Sequence, residues 1–256
     1  MSVYTTEIAS DKIPSDNPIH QRLLKAYIEA KPFIKGNVLE PGCGEGRGIG
    51  EIAPLARQYT GIDKIESVVN RLRSRYPAYR FEAGSFPPIP FPDKSFDTVV
   101  SFQVIEHVKK DRRFLEEIYR VLTPGGKAIL TTPNRKMTLT RNPWHIREYT
   151  AHELASICEG IFPKVDMKGI AGNDKVMEYY ERNRESVKKI TKYDVLKLQY
   201  RLPSSLLRVP YDILNRINRN SLKDSNDTLV TEISHEDYFL AERSDKNLDL
   251  FVILEK

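Results

Sequence analysis

The stretch V38-L39-E40-P41-G42-C43-G44-E45-G46-R47-G48 runs from a short apolar strand, through a turn carrying four glycines, into the start of a helix. A glycine turn of this kind lets backbone come close to a ligand at the carboxyl edge of a parallel sheet. Outward from it the chain alternates. Glu51–Arg57 reads as helix, Tyr59–Asp63 as a second strand, Glu66–Tyr76 as helix and Tyr79–Ala83 as a third strand. Asp97–Phe102 (DTVVSF) is a near-continuous apolar run, as in strands buried on both faces. Phe114–Leu122 is amphipathic and stops at Pro124-Gly125-Gly126, before a fifth strand at Lys127–Thr132 and a helix at Thr150–Ile161. Lys164–Ile170 is a sixth strand, and the closing NLDLFVILEK a seventh.

This alternation predicts an α/β fold: a doubly wound, Rossmann-like, seven-stranded and mostly parallel sheet, with a helical insertion before the last strand. One domain over 1–256 is expected, since the final strand needs a sheet to join. It divides into an N-terminal arm and helix (1–35), a core (36–172), a basic helical insertion (173–245) and the final strand (246–256). With 40% hydrophobic and 29% charged residues, the composition is that of ordinary globular chains. No apolar run reaches the roughly 18 residues of a membrane span. The first residues lack a basic start and an apolar stretch, so a cytoplasmic protein is expected. Two cysteines, Cys43 and Cys158, build neither a disulfide scaffold nor a zinc ribbon.

Charge is uneven. Residues 173–223 hold twelve Lys/Arg against six Asp/Glu, a net +6, whereas the whole chain carries +5. Within this segment Val187, Ile190, Val195, Leu196, Leu198, Tyr200, Leu202, Leu206 and Leu207 interleave with Lys188, Lys189, Lys192, Lys197, Arg201 and Arg208. Such a pattern suits a helical cap on the core. It also suits a lid over an anionic acceptor, or peripheral contact with an anionic membrane.

The glycine turn does not match a dinucleotide fingerprint, because Arg47 stands where the third glycine belongs. Glu40 at its mouth would repel a pyrophosphate and suits a cationic ammonium or sulfonium. Asp63 ends the second strand seventeen residues past Gly46, where a carboxylate accepts from ribose hydroxyls. An adenosine ligand with a positive centre and no phosphates follows, which describes S-adenosylmethionine.

In its collinear motifs the chain resembles the class I S-adenosylmethionine-dependent methyltransferases, in the type 11 group that includes the quinone-biosynthesis methyltransferases. The motifs are E40-P-G-C-G-E-G46, D63, F91-P-D-K-S-F-D97 with TVVSFQVIEHV, and L122-T-P-G-G126 followed by a strand and TPN. The resemblance implies methyl transfer from S-adenosyl-L-methionine, leaving S-adenosyl-L-homocysteine. It places Glu40, Gly42, Cys43, Gly44 and Gly46 at the methionine end, and Asp63 at the ribose. Lys64 and Ile65 would flank the adenine, and Gly84, Ser85 and Phe86 would meet its edge. Phe102, Gln103 and His107 would floor the methyl group. Ser85 departs from the Asp usual there, and it offers a weaker acceptor to the adenine amino group.

For a general base the sequence offers His145 first, in N142-P-W-H-I-R-E-Y-T150, and His107 second; both follow strands at the open edge of the sheet. Either could instead be structural, bonded to a carboxylate such as Glu148. Glu106, His107 and His145 also resemble part of a divalent-metal site of some O-methyltransferases, but position 103 is Gln where those carry Glu, and no metal is expected. The expected partner is a small-molecule acceptor taking the methyl on O or N, less readily on C. A nucleic-acid acceptor is disfavoured: SFQVIEH has no NPPY-like clamp for a flipped base, and no basic domain carries a stacking platform.

Overall fold

The computed structural model describes residues 12–192, 194 and 198–256. Residues 1–11 of the expected arm, and Val195, Leu196 and Lys197 of the insertion, lie outside the described residues. Strands β1 (Asn37–Pro41), β2 (Gln58–Asp63), β3 (Arg80–Ala83), β4 (Phe96–Phe102), β5 (Leu122–Pro133), β6 (Lys164–Gly172), β7 (Tyr238–Glu242) and β8 (Asp249–Glu255) form one sheet in the order β3-β2-β1-β4-β5-β8-β6-β7. The first five strands pair in parallel. β8 enters antiparallel between β5 and β6.

The sheet has eight strands where the sequence reading expected seven. The additional one is β7, which lies inside the segment read as insertion and pairs antiparallel with β6 at the sheet edge. Only Tyr238 of its five residues is buried. An edge strand half in solvent has no strong apolar run to announce it.

Side chains on a strand alternate between faces, and here both faces are covered. Val38, Val100, Ile129 and Phe251 point into one cluster, with Tyr27, Ile49 and Tyr59. Leu39, Val99, Leu130 and Val252 point into the other, with Phe114, Leu115 and Ile118. The last three lie on helix Asp111–Val121, whose buried apolar residues 114, 115, 118 and 121 make one helical stripe. That helix ends at Val121 and strand pairing begins at once, at Leu122 opposite Phe96, so Pro124-Gly125-Gly126, with Gly125 at φ +73°, falls within β5 rather than ending the helix.

The expected first helix forms as α1 (Asn17–Ala30). The insertion folds mainly as helices Asp174–Thr191, Leu198–Arg201 and Ser204–Ser225. The N-terminal segment is tied to the insertion through a buried acid. Asp16, fully buried, accepts from Arg216 at 2.8 and 3.3 Å and from Arg219 at 2.9 Å. Asn17 Nδ2 donates to the carbonyls of Val230 and Ile233, both at 2.8 Å. Breaking a buried ion pair on one side typically costs about 3–5 kcal/mol, because the remaining charge is stranded. Asp16→Ala is therefore expected to destabilise the insertion by an amount of that order. Hydrogen exchange checks it: amides of 204–225 should lose protection while those of β1, β4 and β5 keep theirs.

Candidate active site

The sheet order puts β1 beside β4, with β2 and β3 on one side and β5 onward on the other. Chain leaving β1 and β4 diverges there, opening a crevice at their carboxyl ends. The turn after β1 winds tightly, with Gly42, Gly44 and Gly46 at φ +80°, +50° and +78°. A Cβ at Gly42 would stand 2.4 Å from Val104 of the segment after β4, so only glycine fits between the two. At the end of β2, Asp63 accepts from the Gly44 amide at 3.0 Å and from the Ile65 amide at 2.9 Å. Its carboxylate is thus aimed across the crevice by backbone, with lone pairs left for a ligand.

A cleft of about 460 Å³ fills this crevice. Among the residues expected to hold a cofactor, Gly42, Gly44, Asp63, Lys64, Ile65, Ser85, Phe86, Gln103 and His107 line it. Its size suits a cofactor-sized ligand, and a glycine turn facing an acidic strand end suits an adenosine with no phosphates. Five expected residues are not on its wall: Glu40, Cys43, Gly46, Gly84 and Phe102. Cys43 is buried under the turn, and Phe102 packs edge-on against Tyr27 at 4.6 Å. Glu40 is 1% exposed; its Oε1 accepts from the Tyr27 hydroxyl at 2.7 Å and its Oε2 from the Tyr59 hydroxyl. Burial pushes its carboxyl up to about 7, against the pull of those two hydrogen bonds. It braces the turn from below.

Beyond β4 the backbone takes a left-handed step at Gln103 (φ +57°) and enters a short 3-10 turn, Ile105–His107. Glu106 is buried there. Its Oε2 accepts from Thr132 at 2.8 Å, its Oε1 has no partner among the described residues, and its carbonyl accepts from the Ile146 amide at 2.7 Å. Burial raises this carboxyl to about 7. The carbonyl contact draws the loop after β5 over the sheet edge and brings the two candidate histidines together, ring centroids 5.0 Å apart. His107 Nδ1 donates to the Trp144 carbonyl at 3.0 Å, and burial lowers its pKa to about 4, so it is neutral at pH 7. His145 Nδ1 donates to Glu148 Oε1 at 2.6 Å, and its Nε2 accepts from Asn142 Nδ2 at 2.8 Å. The carboxylate and carbonyl partners set both tautomers, since neither can donate. Ligand atoms of Glu106, His107 and His145 lie within 4.8 Å of one another and could reach a cation, in competition with these hydrogen bonds.

A second cavity of about 260 Å³ adjoins the cleft and shares Gln103 and His107 with it. Glu106, Asn142, His145 and Glu148 face it from the carboxyl edge of the sheet, and Ile19, Leu23, Met137, Val176, Tyr179 and Tyr211 give it an apolar and aromatic wall. Sequence reasoning named the histidines but missed Asn142 and the tyrosines. Asn142 lay in the quoted segment three residues before His145; the tyrosines come from helices whose arrival over the sheet no local pattern shows.

Residues 39–130 match the model of the methyltransferase domain family. Over this core the chain is similar to class I S-adenosylmethionine-dependent methyltransferases, and S-adenosylmethionine is the cofactor that this similarity implies. The chain is similar to a probable S-adenosylmethionine-dependent methyltransferase of Mycolicibacterium smegmatis, 44% identical over 129 residues, 48% of this chain and 50% of that protein. It is 35% identical over 116 residues to a fatty-acid O-methyltransferase of the same organism, covering 44% of this chain and 40% of that one. The chain thus spans about half the length of the curated relatives it matches. A Thermotoga maritima structure described as a possible histamine N-methyltransferase shares the fold, with a TM-score of 0.60 at 15% identity over 93% of this chain and 91% of that one.

Glu40 generates a pH prediction. Its folded pKa, about 7, lies above the ordinary carboxyl value of 4.5, so its contribution to stability is full below 4.5 and falls as pH rises toward 7. Gln in its place keeps two hydrogen-bonding atoms and carries no charge. Glu40→Gln should gain on wild type in thermal melts between those pH values, by up to about 3 kcal/mol, and the gap should stay flat above pH 8. A gap independent of pH would contradict the assignment.

Proposed function

We propose that the protein moves a methyl group from S-adenosylmethionine to an oxygen or nitrogen atom of a small-molecule acceptor with an apolar body. The observation that carries this reading is the wall of Gln103 and His107 common to both cavities, with the His145–Glu148 pair at the same edge. The bound cofactor supplies an electrophilic methyl group on a sulfonium with its leaving group attached. The protein's part is to align the acceptor, exclude water and take a proton where the acceptor has one to lose.

In this reading Gly42, Gly44, Asp63 and Ser85 hold the cofactor, and the aromatic wall holds the acceptor body. The Asn142 amide occupies the place on His145 Nε2 that an acceptor hydroxyl or amine takes over. His145 then receives the proton, and Glu148 on Nδ1 stabilises the imidazolium, as a carboxylate does for a catalytic histidine elsewhere. Neutral His107 holds Trp144 and the loop in place. The fatty-acid O-methyltransferase relative supports a lipid-like acceptor. A carboxylate is already ionised at pH 7 and needs no base, so the His145–Glu148 pair favours a hydroxyl or an amine.

The test is transfer of labelled methyl to a panel of long-chain and aromatic alcohols, amines and carboxylic acids. His145→Gln should cost about 10²- to 10⁴-fold in kcat on hydroxyl acceptors, with S-adenosylhomocysteine affinity unchanged; an unchanged rate would make His145 structural. A chelator should leave the rate as it was. Loss on chelation, restored by a divalent cation, would assign Glu106, His107 and His145 to a metal instead.

A further inference from the structure

Helix 204–225 has two working faces. Tyr211, Asn215 and Arg219 line the acceptor cavity, and Asn218 and Leu222 are buried beside them. At about 100° per residue, these positions fall on one side. The opposite side carries Leu206, Val209, Ile213 and Ile217, spaced three and four apart and 63, 67, 55 and 57% exposed. Leu214 extends the stripe, and Leu198 and Tyr200 just before the helix are exposed as well. Five large aliphatic side chains on one exposed helix face make a patch, and such patches mark interaction surfaces.

The charge around the stripe says what covers it. Residues 184–192 and 198–208 hold six Lys/Arg (Arg184, Lys188, Lys189, Lys192, Arg201 and Arg208), all exposed, against Glu185 alone. Helix 174–191 runs antiparallel to 204–225, since Arg182 meets Asn226 and Ser186 meets Asn218. Its last turn, with Lys188 and Lys189, therefore lies toward the Leu206–Ile213 end of the stripe. A second copy docked face to face would press these like charges together. An anionic bilayer takes both the apolar stripe and its cationic border, in the manner of helices that lie in the interface plane. No helix among the described residues is long and apolar enough to cross a membrane.

We propose that the outer face of helix 204–225 docks the protein on an anionic lipid surface, with the acceptor cavity directly behind it. The same helix is fastened to the loop that carries His145: Trp144 Nε1 donates to Asp212 at 3.2 Å, the Arg208 guanidinium lies over the Trp144 ring at 4.4 Å, and Arg141 donates to the Ser204 hydroxyl oxygen at 2.9 Å. Docking would thus present the cavity to molecules held in the membrane. Binding is read without turnover, so its failure leaves the methyl-transfer reading standing.

The experiment is vesicle flotation of the full chain with phosphatidylcholine vesicles, pure or half phosphatidylglycerol. Wild type should float with the anionic vesicles, at least tenfold less with the neutral ones, and salt should release it. Val209→Asp/Ile213→Asp and Lys188→Glu/Lys189→Glu should each weaken flotation at least tenfold, with melting temperature and S-adenosylhomocysteine affinity unchanged. Val209→Ser/Ile213→Ser provides a milder version if the acidic pair perturbs folding. Wild type that stays with the soluble fraction, or stripe variants that float as well as wild type, would overturn the proposal. So would a wild-type dimer in light scattering that the stripe variants convert to monomer.

Discussion

The adjacency of β1 and β4 is the constraint on which the rest depends. The two strands pair in parallel through Val38–Thr98 and Leu39–Val99, and their crossovers leave in opposite directions along the sheet. The crevice this opens needs two backbones to pass closely without a side chain between them. Glycine at 42 meets that need against Val104, and Ser101 Oγ donates to the Pro41 carbonyl at 2.9 Å to hold the strand ends together. Once that edge is set, Asp63 from the neighbouring strand and His107 from the far side face one another across a single cleft.

A second layer rests on this edge through few polar contacts. The buried Glu106 gives its carbonyl to the loop that carries His145, and that loop in turn holds helix 204–225 through Trp144 and Arg141. The same helix is held from its other end by Asp16. The second cavity, the His145–Glu148 pair and helix 204–225 therefore share one chain of contacts. A polar group buried in such a chain is costly unless partnered, and Oε1 of Glu106, without a partner among the described residues, carries that cost beside the cavity, with its carboxyl pushed up to about 7.

Much of this was legible in the sequence, and the reasons are local. The glycine turn, Asp63, the apolar β4 and the segment around His145 are each short patterns whose chemistry follows from residue type and spacing. Glu148 could be named as a partner of His145 because it lies only three residues away in the same loop. The parts that were hidden join residues far apart: Asp16 to Arg219, Tyr27 to Glu40, Trp144 to Asp212. Tyr27 explains the main displacement of the site. A carboxylate expected to face the ligand is instead enclosed by two tyrosines, one of them from a helix that the glycine motif says nothing about. β7 was hidden for another reason, its half-exposed edge giving no apolar alternation.

The central claim is that the crevice between β1 and β4 is built for an adenosine with no phosphates. Calorimetric titration of S-adenosylhomocysteine into the full chain, beside Asp63→Ala and an NAD control, tests it most directly. The account predicts micromolar binding to wild type, at least tenfold weaker binding to the variant, about 1.4 kcal/mol or more, and no heat from NAD. A wild type that binds NAD, or binds S-adenosylhomocysteine no better than the variant does, would contradict it.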